Sequence, residues 1–216
     1  MSKTEKVEFL WDFLFEEEDK LIRWQRFETA AEIASVFGEI KKRLRAKLAK
    51  SIYDRLKLSP AFSDLVIEDK GFLQGQPLKS LMLYKPAWVR EEPLFSYTLE
   101  FGQNDTFYYG TLEFGQNDTF YYGVRKSRKV PDALRQSVKP YLEAWGLRDA
   151  QSPQWLAWNY FDGEMGKDST LFLKSLVTRC VNGGDGCNDL VSRYLITLDR
   201  MINNLERYID TWVKRF

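Results

Sequence analysis

The sequence predicts an α+β fold: an antiparallel aromatic β-sheet with a tandemly duplicated β-hairpin, packed against long N- and C-terminal helices. Three observations lead there. Apolar residues recur every three or four positions toward both ends of the chain, which is the period of a helix face. The middle breaks into short apolar runs bounded by Gly, Pro or charge, which is how strands read. And TLEFGQNDTFYYG, residues 98–110, is repeated without change as residues 111–123. Each copy holds alternating apolar residues, a Gly-Gln-Asn-Asp turn signal and a return strand, so each copy predicts a hairpin. One domain over residues 1–216 accommodates all of these elements.

Taken in order, residues 4–26 predict a first amphipathic helix, with Val7, Leu10, Trp11 and Leu14 on one face. Ile22 rejoins that face after the acidic run Glu16-Glu17-Glu18-Asp19. A second helix is predicted from about Thr29 to Lys57, on the seam Ile33, Phe37, Ile40, Leu44, Leu48, Ile52 and Leu56. Ser59-Pro60 ends it, because a proline disfavours helical backbone in the residue before it. Strands follow at 63–70, 78–85 and 94–102, with Pro77, Pro86 and Pro93 at their margins, where a missing N–H is tolerated.

The duplication constrains what comes next. A single straight strand over residues 106–114 would carry the chain out at the wrong end of the sheet, displaced by about 20–30 Å at ~3.3 Å per residue. A reversal at Gly110-Thr111 restores the direction, and Gly in the first central position suits a two-residue turn. The expectation is therefore two consecutive hairpins, one of them an extension at a sheet edge that invites pairing with another chain. Residues 131–146 predict a helix opened by Pro131, split at Pro140 and stopped by Gly146. Residues 154–161, QWLAWNYF, predict an aromatic strand, and Asp168-Ser169 caps a helix running to about Val181, broken by Gly183, Gly184 and Gly186. Val191, Tyr194, Leu198, Met201, Leu205, Tyr208 and Trp212 form a heptad seam on a last helix over 189–214. Ile202 and Ile209 widen that seam, which suits packing inside a domain.

Composition narrows the chemistry. The chain of 216 residues carries a net charge of +1, so its global charge does not call for nucleic acid. It has no histidine, which removes Ser-His-Asp and Cys-His catalysis and His-ligated metals. Its two cysteines, Cys180 and Cys187, predict free thiols in a cytoplasmic chain, since the opening MSKTEKVEFLWDFLFEEEDK lacks the apolar run of a signal peptide. No stretch reaches the ~18 apolar residues of a membrane span.

Few residues carry a chemical signal. Glu68-Asp69-Lys70 ends a predicted strand and spells Glu-x-Lys, the pattern with which PD-(D/E)XK nucleases hold Mg²⁺ and position water. Glu68 and Lys70 are the catalytic candidates, with Mg²⁺ as cofactor only under that reading. No other cofactor and no further metal site are expected. Glu100 and Glu113 occupy equivalent points of the two copies and read as an exposed strand face. Gly183-Gly184-Asp185-Gly186 lacks the Lys-Ser/Thr of a phosphate loop and reads as a plain loop. Two basic clusters are candidates for phosphate contacts: Lys41, Lys42, Arg43, Arg45, Lys47 and Lys50 within KKRLRAKLAK, and Arg125, Lys126, Arg128 and Lys129. The acidic run at 16–19 is an alternative partner for them.

The order of elements resembles the C-terminal region that follows the catalytic core in a bacterial group of the PD-(D/E)XK nuclease superfamily. A long helix, an aromatic hairpin (SYTLEFG and TFYYGVRK), a Trp-rich strand (WLAWNYF) and a terminal helix (LITLDRMINNLERYID) carry the resemblance over residues 30–214. It implies an accessory or recognition portion, and no catalytic residue follows from it. The functional expectation is a non-catalytic binding module associated with DNA or RNA, in a bacterial or phage nuclease or defence context. Its partner there would be a nuclease domain or another protein. The alternatives are a Mg²⁺-dependent nuclease using Glu68 and Lys70, and a scaffold self-associating through the hairpin edge or the C-terminal helix.

Overall fold

The computed structural model describes residues 8–9, 11–14, 16, 19–105, 116–131, 140–144, 147–149, 155–161 and 185–214. Contacts group the chain into two compact units, Met1–Lys41 and Lys42–Phe216.

In the first unit, residues 11–14 form a helical turn, and helix α1, Lys20–Leu58, begins. Asp19 caps α1: its carboxylate accepts the backbone N–H of Leu21 at 2.7 Å and of Ile22 at 3.3 Å. The two helices expected over 4–26 and 29–57 are thus replaced by a start at Lys20 and one unbroken run of 39 residues. Nothing between Arg26 and Thr29 is a Gly or Pro, so no residue there forces a break. Arg26 returns to the N-terminal turn, donating from Nη1 to the Phe13 carbonyl at 2.9 Å with its guanidinium 4.9 Å from the Phe13 ring centre.

The second unit holds the core. Leu48, Ile52 and Leu56 of α1 are buried, and α1 stops at Leu58 just before Pro60. Six strands follow: β1 Val66–Lys70, β2 Ser80–Tyr84, β3 Phe95–Asp105, β4 Gln116–Lys126, β5 Arg148–Asp149 and β6 Trp155–Tyr160. They form one sheet in the order β1-β2-β3-β4-β6-β5, antiparallel at every pairing. The sheet and the two terminal helices confirm the α+β class. The two-residue strand β5 has no counterpart among the predicted elements.

Helix α2, Asp185–Val213, presents the predicted seam inward: Val191, Tyr194, Leu198, Met201, Leu205 and Trp212 are all buried. Its start takes in Gly186, which was expected to lie in a loop. Tyr194 meets Phe120 edge-on at 5.1 Å, and Trp212 meets Phe95 at 5.9 Å, so the seam faces the sheet. A coiled-coil dimer through this seam is therefore not available, because the chain's own sheet already fills it. Residues 140–144, within the helix expected over 131–146, are helical, while residues 132–139 and the helix expected over 168–181, with Cys180, lie outside the described residues.

The duplicated segment is where prediction and structure part. β3 and β4 pair without a break from Phe95↔Lys126 to Asp105↔Gln116. Gly102-Gln103-Asn104-Asp105 and Gln116-Asn117-Asp118, expected as turns, are strand. The two consecutive hairpins are thus corrected to one: the first copy supplies β3 and the second supplies β4. Neither adds a strand at the sheet edge, since the edges are β1 and β5. The physical reason is continuity. Val124, Arg125 and Lys126 pair with Tyr97, Ser96 and Phe95, so a separate second hairpin would interrupt β4 beside the core. Surplus chain between the strands leaves every core pairing intact. The reversal expected at Gly110-Thr111 lies outside the described residues.

This register makes a prediction. The copies being identical, deleting either gives the same polypeptide. All pairs from Phe95↔Lys126 to Gly102↔Thr119 survive, and Gln-Asn-Asp becomes a three-residue loop. The shortened chain is expected to keep its near-UV circular dichroism, with stability unchanged or raised by about 1 kcal/mol from the shorter connection. A melting temperature lowered by ~10 °C, against the few degrees per kcal/mol expected at this size, would contradict the register.

Candidate functional site

The basic residues of α1 divide by helical phase. Arg45 lies on the inner side: it is buried, and its Nε donates to the Gly75 carbonyl at 2.7 Å. That bond ties α1 to the short 3-10 turn Phe72–Gln74, so Arg45 serves the fold. Arg43, Lys47, Lys50 and Lys57 lie on the outer side and are exposed. Their positions, with Asp54 between, step by four and three residues, so they form one stripe along the helix. Beside it runs a surface groove of about 380 Å³ lined by Ala46, Lys47, Lys50, Tyr53, Asp54 and Leu73. Lys57 Nζ sits 5.5 Å from the centre of the Tyr53 ring, and Lys50 pairs with Asp54 at 2.9 Å. Both members of that pair are more than half exposed, so water screens it and little energy opposes its exchange for another anion. Lys42 is half-buried. Lys41, in the N-terminal unit, lies 5.2 Å from the Phe37 ring centre.

The second basic cluster is mostly committed to the sheet. Arg125 lies 5.1 Å from the Trp155 ring centre and donates to Glu100 at 3.4 Å. Lys126 is buried, its Nζ donating to the Val130 carbonyl at 2.9 Å. Lys129 pairs with Glu91, whose carboxyl is held below its usual range by that hydrogen bond. Arg128 is exposed. Of the basic candidates, then, Arg45, Arg125, Lys126 and Lys129 have structural bonds, and Arg128 and Lys129 flank the end of β4. Arg43, Lys47 and Lys50 belong to the predicted cluster, whereas Tyr53 and Lys57 were not singled out as candidates. The four-three spacing of the stripe was the signal that could have found them.

Glu68 and Lys70 point from one face of β1 and pair with each other. The Tyr84 hydroxyl donates to Glu68 at 3.3 Å, and its proton is held above the usual range, first by desolvation and then by the Glu68 charge. Asp69 accepts the Leu73 N–H at 3.1 Å. Asp64 faces Lys85 instead, at 3.6 Å. Glu68 thus has a lysine and a phenol for neighbours. Among the described residues no group of three or more His, Cys, Asp or Glu side chains is arranged to hold a metal.

Two further charged groups, Glu100 and Lys85, have roles that the sequence did not show. Glu100, expected on an exposed face, is 5% exposed, on a sheet row with buried Ser96 and Thr98, whose hydroxyls lie 3.1 Å apart. A carboxylate at that depth requires its Arg125 partner. Glu113 lies outside the described residues. Lys85, at the end of β2, bonds Glu206 of α2 and lies 3.9 Å from Asp210, which accepts Trp88 Nε1–H at 2.7 Å. The Glu206 hydrogen bond raises the Lys85 pKa, and burial raises that of neighbouring Tyr97. This cluster clamps α2 to the sheet.

No helix among the described residues is long and apolar enough to cross a membrane. No protein-family model matches the chain, and no curated protein or solved structure matches it either.

Proposed function

We propose that the chain is a non-catalytic binding module that engages nucleic acid through the outer face of α1, as an accessory part of a bacterial or phage nuclease or defence system. The observation that carries this reading is the stripe Arg43, Lys47, Lys50 and Lys57 beside a groove that contains Tyr53. Cations one helical turn apart suit a row of phosphates, and an aromatic ring beside them offers a stacking surface for a base. The resemblance to an accessory nuclease region supports the context.

The test is a salt titration of DNA and RNA binding, single- and double-stranded. Wild type is expected to bind at low salt and to weaken steeply as salt rises. Replacing Arg43, Lys47 and Lys50 together by Glu is expected to lower the slope of log K against log salt by about 2–3, at ~0.7–0.9 per lost phosphate contact. Helix content should not change, since all three side chains are exposed. Absence of binding by the wild type at low salt defeats the reading.

A further inference from the structure

We propose that the exposed apolar surface of the N-terminal part of α1 is a self-association site, on which a second copy of this chain lies antiparallel. Of the fifteen large hydrophobics exposed among the described residues, ten lie within residues 9–40, so the apolar exposure is concentrated there. Phe37 and Ile40 belong to the seam that farther along the same helix buries Leu48, Ile52 and Leu56, yet they remain 47% and 43% exposed. Ile22 and Val36 lie on the same side and are exposed as well. A helical seam that continues into water is the face a second helix covers.

Charge selects the occupant and its direction. The acidic run 16–19 ends at the cap of α1, and Lys41 opens the basic run of the same helix. Asp19 and Lys41 are separated by about 33 Å at 1.5 Å per residue, so the two ends do not meet within one chain. Within one chain, Asp19 and Lys41 therefore do not pair. A parallel second copy would set acid on acid and base on base. An antiparallel copy sets the acidic end of each chain on the basic end of the other. Its two-fold axis passes near Thr29-Ala30-Ala31, where small side chains let the helices approach closely.

Sedimentation equilibrium tests this, read from low micromolar to near-millimolar protein. The expected result is a monomer–dimer equilibrium that weakens with salt. Phe37→Asp combined with Ile40→Asp is expected to leave a monomer with unchanged helix content. Glu16→Lys and Lys41→Glu should each weaken the dimer several-fold, and the two together should restore much of it. The proposal is overturned by a chain that stays monomeric throughout, or by a dimer that survives Phe37→Asp with Ile40→Asp, which would place the contact elsewhere. Loss of helix in that variant would overturn it as well, because it would show those side chains to be internal.

Discussion

Replacing Phe120 by Ala is expected to destabilise the protein by about 3–5 kcal/mol, the cost of emptying a large aromatic site in a packed core. The ring is fully buried. It stacks on Phe101 at 4.9 Å and Phe161 at 4.7 Å, and Tyr194 of α2 meets it edge-on. Phe120 therefore joins β3, the end of β6 and α2 at one point, and its removal strips partners from all three. The duplication supplies an internal control. The pentapeptide TFYYG occurs at 106–110 and again at 119–123, so Phe107 is the sequence twin of Phe120. The register gives the core seat to Phe120, opposite Phe101. Phe107→Ala leaves that seat filled and is accordingly expected to cost less than Phe120→Ala. Urea unfolding of the two variants decides it. Equal losses would mean that the copies exchange places in the sheet, and the register would have to be abandoned.

That contrast also marks what the sequence could say. Strong periodicity was readable: the heptad seam of α2, the apolar runs of β1 to β3 and the aromatic run of β6 all appear near their predicted bounds. Each is set by burial of its own residues. The hairpin was not readable in the same way, because two identical segments have identical local preferences. Gly-Gln-Asn-Asp favours a turn in both copies, yet the pairing that continues from Val124–Lys126 with Phe95–Tyr97 puts Gly102–Asp105 and Gln116–Asp118 in strands. Tertiary register outweighed turn propensity. The α1 seam failed differently. Its spacing is continuous, but spacing does not say where the core ends, and Phe37 and Ile40 are left outside while Leu48 is buried. The site residues divide along the same line. Composition identifies a basic cluster, whereas one helical step separates Arg45, bonded inside the fold, from the exposed stripe.

That division leads to the second large effect, at Gly75. Gly75→Ala is expected to cost at least about 3 kcal/mol, by two additive causes. The residue has φ +66, where a side chain other than glycine's is disfavoured by roughly 1–2 kcal/mol. A Cβ there would also lie 2.1 Å from the Lys42 carbonyl oxygen and 2.6 Å from the Ala46 nitrogen. Those atoms are backbone of α1 and do not give way, so the 72–75 turn must lift off the helix. Lifting breaks the Arg45–Gly75 bond and withdraws Phe72 from its stack on Phe101 at 4.6 Å. Arg45→Ala removes only the first of these, and is expected to lose about 1.5–3 kcal/mol, the range for a hydrogen bond from a charged group. Each variant should lower the urea midpoint while leaving the nucleic-acid salt slope of the remaining folded protein unchanged. Glu at Arg43, Lys47 and Lys50 should do the reverse. If Arg45→Ala flattened the salt slope and left the midpoint alone, Arg45 would be a phosphate contact, and the assignment of binding to the outer stripe and stability to the inner arginine would fail.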